Sequence, residues 1–96
     1  MKMTKNSILL FLKENKQLLS EKFQVKNIGL FGSYVTGEQH KDSDIDLIVD
    51  MPSSFDRYYD LKEFLEKAFG KEVDLGVAKS MRSFIKSRIE NEVIYV

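Results

Sequence analysis

Ser43-Asp44-Ile45-Asp46-Leu47-Ile48-Val49-Asp50 is the stretch that decides the fold. Ile45 to Asp50 is rich in Ile, Leu and Val, and Met51-Pro52-Ser53-Ser54 stops it, so the pattern predicts a strand. Side chains alternate along a strand. Ile45, Leu47 and Val49 therefore share one face and supply a core, and Asp44 and Asp46 share the other at the strand's start. At roughly 3.3 Å per residue their Cα atoms stand about 6.6 Å apart, a spacing at which carboxylates can share metal ions. Asp42-Ser43-Asp44-Ile45-Asp46 also imitates the start of a calcium loop. That reading fails: Leu47 stands where the turn needs glycine, and Ser53 where a bidentate glutamate is needed.

Upstream, Val25 to Phe31 predicts a strand that Gly32-Ser33 breaks, and Tyr34 to Gly37 a turn or the first turn of a helix. Residues 5–23 predict one amphipathic helix, with Ile8, Leu12 and Leu19 along one side and Phe11 and Leu18 flanking them. Downstream, the serines after Pro52 offer an N-cap for a helix over 55–69, in which Tyr58, Leu61, Leu65 and Ala68 recur at helical spacing. Gly70 sits where the C′ residue of that helix belongs. Glu72 to Val77 predicts a third strand. Ser80 would cap a last helix carrying Met81, Phe84, Ile85, Arg88 and Ile89, and Val93 to Val96 a short edge strand. The order α-β-(α)-β-α-β-α predicts an α/β (α+β) fold, a small mixed sheet with helices packed mainly on one face. Only about a dozen residues separate the first two strands, short for a parallel crossover, so their pairing is expected to be antiparallel or mixed. The 96 residues predict a single domain over 1–96.

In Glu72-Val73-Asp74-Leu75-Gly76-Val77 the same alternation turns Asp74 away from the packed face. If this strand neighbours the second one, three carboxylates converge. Unpaired, they would repel and raise one another's pKa values, a penalty that a divalent cation removes. Oxygen ligands with no His or Cys nearby point to Mg²⁺ or Mn²⁺. Gly32 permits close approach to the backbone, and Ser33 offers a hydroxyl and an N–H at a helix start, which suits phosphate. Gly-Ser turns are common, and no Gly-Lys-Ser/Thr follows to make a P-loop. The turn gains meaning from the acidic pair beginning ten intervening residues later.

Fifteen basic and fifteen acidic residues balance, which gives no sign of nucleic acid or an anionic membrane as partner; direct nucleic-acid binding is not expected. The absence of cysteine excludes disulfides and thiolate metal sites and fits a cytoplasmic protein. The apolar stretch Ile8 to Leu12 is too short for a membrane span. His40, the single histidine, lies in a polar loop and reads as solvent-exposed. Phe55, Tyr58, Tyr59, Phe64 and Phe69 read mostly as core, though they and Val93 to Val96 are also candidate docking surfaces.

Gly32-Ser33 followed by Asp44-Ile45-Asp46 resembles the signature of the DNA polymerase β-like nucleotidyltransferase superfamily. Leu30 to Glu38 and Ser43 to Val49 are similar to minimal nucleotidyltransferases of the MNT type, the antitoxins of HEPN–MNT toxin–antitoxin pairs, and the likeness in length and element order covers nearly the whole chain. The resemblance implies that Gly32 and Ser33 hold the β- and γ-phosphates of ATP, that Asp44 and Asp46 bind two Mg²⁺ ions, and that Asp74 completes one metal site and helps to activate the attacking hydroxyl. It implies transfer of AMP to a tyrosine of a cognate HEPN toxin. The chain departs from the pattern at Tyr34 and Thr36, where many relatives carry arginine; Lys41, Lys79 or a partner's side chain would have to compensate. No residues remain for an acceptor domain, so the acceptor is expected to bring its own surface. Two other readings stay open: a catalytically weak or inactive antitoxin that acts by complex formation, and a nucleotidyltransferase for a small molecule or RNA.

Overall fold

The computed structural model describes residues 3–78 and 91–96. Its elements are α1 (Lys5–Glu14), α2 (Lys16–Phe23), β1 (Asn27–Phe31), α3 (Ser33–Thr36), β2 (Ile45–Asp50), α4 (Phe55–Phe69), β3 (Val73–Val77) and β4 (Ile94–Tyr95). The helix expected from Ser80 through Ile89, and Lys79 before it, lie outside the described residues.

β2 is the hub of a four-stranded sheet ordered β3-β2-β1-β4. The connection from β1 is short, and β1 pairs antiparallel with β2, from Asn27 opposite Asp50 to Phe31 opposite Asp46. The connection from β2 to β3 carries the 15-residue α4, long enough for a crossover, and this pair is parallel, with Ile45 beside Val73 and Asp46 beside Asp74. β4 pairs antiparallel with the outer side of β1.

Ile45, Leu47 and Val49 are buried together with Leu30, Leu75, Leu61 and Leu65 in one cluster, which also takes in Ile8, Leu12 and Leu19. Helices α1, α2 and α4 thus cover the face opposite Asp46, as the alternation predicts. Each large aliphatic side chain fully buried there stabilises by roughly 1.5–3 kcal/mol. Phe11 joins the layers, its ring edge-on to Phe69 at 5.0 Å and tilted against Phe64 at 6.1 Å.

The helices end where the chain supplies caps. The Ser54 hydroxyl accepts from Arg57 N, and Gly70 closes α4 with φ 67°. Two bonds then tie α4 to β3: Tyr58 Oη donates to Leu75 O at 2.6 Å, and Val73 N donates to Glu66 Oε2 at 3.0 Å. The strand carrying Asp74 is therefore pinned on both sides of that residue.

Two sequence expectations need correction. Residues 5–23 form two helices, because Asn15 leaves helical geometry (φ −102°, ψ 12°) and its Nδ2 donates back to Phe11 O at 2.9 Å. Asparagine side chains compete in this way for backbone partners. Phe55 and Tyr59 are not core: they are 82% and 59% exposed, on the outer side of α4. Phe69 is buried, and Tyr58 and Phe64 pack partly against the core.

Candidate functional site

The sheet register brings Asp46 and Asp74 side by side on the face away from the core. Asp44 lies one residue before β2, rather than within it, and is exposed, as is Asp74; Asp46 is half-buried. Ile45 N donates to Glu72 O at 3.1 Å and closes the ladder at this end, so Asp44 stands at the point where the chain enters the sheet. Asp46 senses the other two carboxylates. Burial first, then the charges of Asp74 and Asp44, push the Asp46 carboxyl up to about 6 from an ordinary 3.8.

Among the described residues no cationic side chain relieves this cluster; the one ion pair joins Lys67 to Glu63 on the far helix at 2.9 Å. Nor do three acidic or imidazole groups close into a ready-made cage among those residues. The register sets Asp46 beside Asp74, and Asp44 stands two residues before Asp46 where the chain enters β2. An open set of anionic oxygens is the donor chemistry of a hard divalent cation.

Phe31 is paired with Asp46, and Gly32 follows it directly. Gly32 holds φ 77° and ψ −150°, a region essentially reserved for glycine. A Cβ built there would overlap Asp46 Oδ2 and stand 2.9 Å from its Cγ. The missing side chain of Gly32 thus makes room for the Asp46 carboxylate, a role that the spacing did not reveal. Gly32 O then accepts from Val35 N and Thr36 N, starting α3 with the half-buried Ser33 as its first residue. Tyr34 is buried in the core cluster, a packing residue, while Thr36 is exposed.

The loop from Gly37 to Asp44 holds the exposed Lys41 and His40. His40 Nδ1 accepts from Asp42 N at 3.2 Å, and His40 N donates to Ser43 Oγ at 2.9 Å. Sequence reasoning missed Lys71, whose Nζ donates to Lys41 O at 2.7 Å; no spacing or motif signals that contact. A cavity of about 570 Å³, bounded by Met51, Phe55, Tyr58, Tyr59 and Val77, opens at the opposite end of β2 and β3. None of the three aspartates lines it.

The carboxylate row, the glycine turn beside it and the mixed sheet beneath it define a class. Residues 12–96 match the nucleotidyltransferase domain family, and the chain belongs to that family. It is 43% identical, over 97% of its length and 98% of the relative's, to a Methanocaldococcus jannaschii protein described as a protein adenylyltransferase. It is 41% identical, over 98% of its length and 97% of the relative's, to the protein adenylyltransferase MntA of Thermococcus cleftensis. Among solved structures, a minimal nucleotidyltransferase shares the fold (TM-score 0.81, 23% identity, 96% of this chain and 95% of that one). A toxin–antitoxin complex with AMP-PNP matches at TM-score 0.70 and 26% identity, over 97% of this chain and 72% of that one. The tri-AMPylated Shewanella oneidensis HEPN toxin in complex with its MNT antitoxin matches at TM-score 0.61 and 25% identity, over 88% and 68%. The chain is thus a nucleotidyltransferase.

Proposed function

We propose that the chain is a one-domain cytoplasmic antitoxin that transfers AMP from ATP to a tyrosine of a HEPN toxin. The observation that carries the reading is the register of Asp46 with Asp74, with Asp44 at the head of the same strand and Gly32 packed against Asp46. Asp44, Asp46 and Asp74 would hold Mg²⁺ or Mn²⁺. Bound there, the cations would supply charge neutralisation at the α-phosphate and its attacking and leaving oxygens. Gly32 and Ser33 would cradle the β- and γ-phosphates at the start of α3. Asp74 would also draw on the attacking phenol. Asp74 would accept the phenol proton as the new oxygen–phosphorus bond forms and the bond from the α-phosphorus to the departing pyrophosphate oxygen breaks. The half-buried position of Asp46 serves positioning, because catalysis of this kind is mostly placement and electrostatics.

Tyr34 and Thr36 supply no cation to a triphosphate, and Tyr34 is committed to the core. That observation favours a second reading, in which complex formation itself silences the partner. A growth assay separates the two. Wild type and Asp46→Asn are each co-expressed with the cognate HEPN protein, and complex formation is checked by co-purification. The adenylyltransferase reading expects Asp46→Asn to bind the toxin yet fail to protect. Full protection by that variant would overturn it in favour of occlusion.

A further inference from the structure

We propose that Lys71 is a positioning residue for the carboxylate site, acting through the loop that delivers Asp44; this rests on the metal reading above. Lys71 Nζ donates to Lys41 O at 2.7 Å across 30 positions of sequence. Among the described residues this is the one hydrogen bond that ties residues 39–43 to a part of the chain outside the loop. The others, from Ser43 N to His40 O, from His40 N to Ser43 Oγ and from Asp42 N to His40 Nδ1, close the loop on itself. They give the loop its shape but do not fix where it sits.

The three carboxylates are unequally anchored. Asp46 and Asp74 are locked by the sheet register, and Asp74 is flanked by the bonds from α4 to Val73 and Leu75. Asp44 precedes the ladder, is exposed, and follows the loop directly. Lys71 lies two residues before β3, beside the start of β2, because Ile45 N bonds Glu72 O. The ammonium therefore reaches from the segment leading into β3, the strand of Asp74, to the loop that leads into Asp44. It holds the loop three residues ahead of Asp44 against the approach to β3, where the ladder secures only the residue that follows Asp44. Without the latch the loop samples positions in which Asp44 cannot close on an ion, and apparent affinity falls by the competent fraction.

The test compares wild type, Lys71→Met, Lys71→Gln and Lys71→Arg, with Mn²⁺ as probe. Binding is read from the free-ion electron paramagnetic resonance signal, and backbone amide exchange is followed at Gln39 to Asp44. Lys71→Met is expected to weaken Mn²⁺ binding about fivefold, the worth of one exposed hydrogen bond. Exchange in the loop should quicken while α4 stays protected, and Lys71→Arg, which can still donate to a carbonyl, should restore both. Lys71→Gln supplies the comparison if the Met variant does not fold. Unchanged Mn²⁺ affinity in the neutral variants would overturn the proposal, as would tightened affinity, the result of losing a nearby positive charge alone, or weakened affinity with unchanged loop exchange. If wild type itself binds no Mn²⁺, the metal reading fails; loop exchange then decides the latch alone, and unchanged exchange overturns it.

Discussion

Gly32→Ala tests how the site is built. The substitution has two costs that can be separated. Alanine at φ 77° and ψ −150° carries backbone strain of about 1–3 kcal/mol. Its Cβ would also overlap Asp46 Oδ2 and stand 2.9 Å from Cγ and 3.1 Å from the Asp46 Cβ. Ordinary carbon contacts lie near 3.5–4.0 Å, so the carboxylate has to retreat by roughly 1 Å. A misplacement of about that size costs on the order of 100-fold in rate. Gly37→Ala is the control. Gly37 also has positive φ, 84°, but a Cβ there meets nothing within 4 Å. Both variants should melt below wild type. Only Gly32→Ala should lose AMP transfer, by about 100-fold per folded molecule, measured from single-turnover label transfer normalised to the folded fraction. Near-wild-type transfer by Gly32→Ala would refute the packing of Asp46 on Gly32.

Asp46→Asn should stabilise the metal-free protein at pH 7.5 while abolishing transfer. The Asp46 pKa is raised to about 6 from 3.8, so the unfolded state releases this proton first, and stability falls as pH rises through that window. With solvent screening at a half-exposed group, the effect is about 1–2 kcal/mol, read as a higher melting temperature for the variant and a flatter pH profile. Mg²⁺ should raise the melting temperature of wild type at pH 7.5 and leave Asp46→Asn unmoved, which differential scanning fluorimetry checks. Tyr58→Phe removes the 2.6 Å bond to Leu75 O and should cost about 1 kcal/mol, some 4–8 °C in melting temperature, with transfer per folded molecule little changed.

The parts of the fold written in local pattern were legible. α4 appears at Phe55–Phe69 with Ser54 and Gly70 as its caps, because helical spacing, an oxygen-bearing cap and a positive-φ residue coincide there. β2 appears at Ile45–Asp50, and its alternation placed Asp46 away from the core. Long-range relations were not legible in the same way. That Asp74 lies beside Asp46 depended on which strand neighbours β2, and only the register settles it. The break at Asn15 was not legible because apolar periodicity continues across it, while the asparagine side chain and its own backbone N–H both close on Phe11 O. Phe55 and Tyr59 misled because aromatic character suggests burial, although the core-facing stripe of α4 runs through Leu61, Leu65 and Phe69. The role of Gly32 was half-visible. The turn pointed to a close approach, but that the Asp46 carboxylate occupies the space follows only from the packing of β1 against β2.

The most direct measurement uses ATP labelled at the α-phosphorus, the cognate HEPN protein and Mg²⁺, with the chain either wild type or carrying Asp44→Ala and Asp46→Ala together. Wild type is expected to move the label onto a tyrosine of the partner with release of pyrophosphate, the double variant to move none, and chelation of the metal to stop the reaction. Absence of label on the partner with wild type, or equal transfer by wild type and the double variant, would contradict the adenylyltransferase reading.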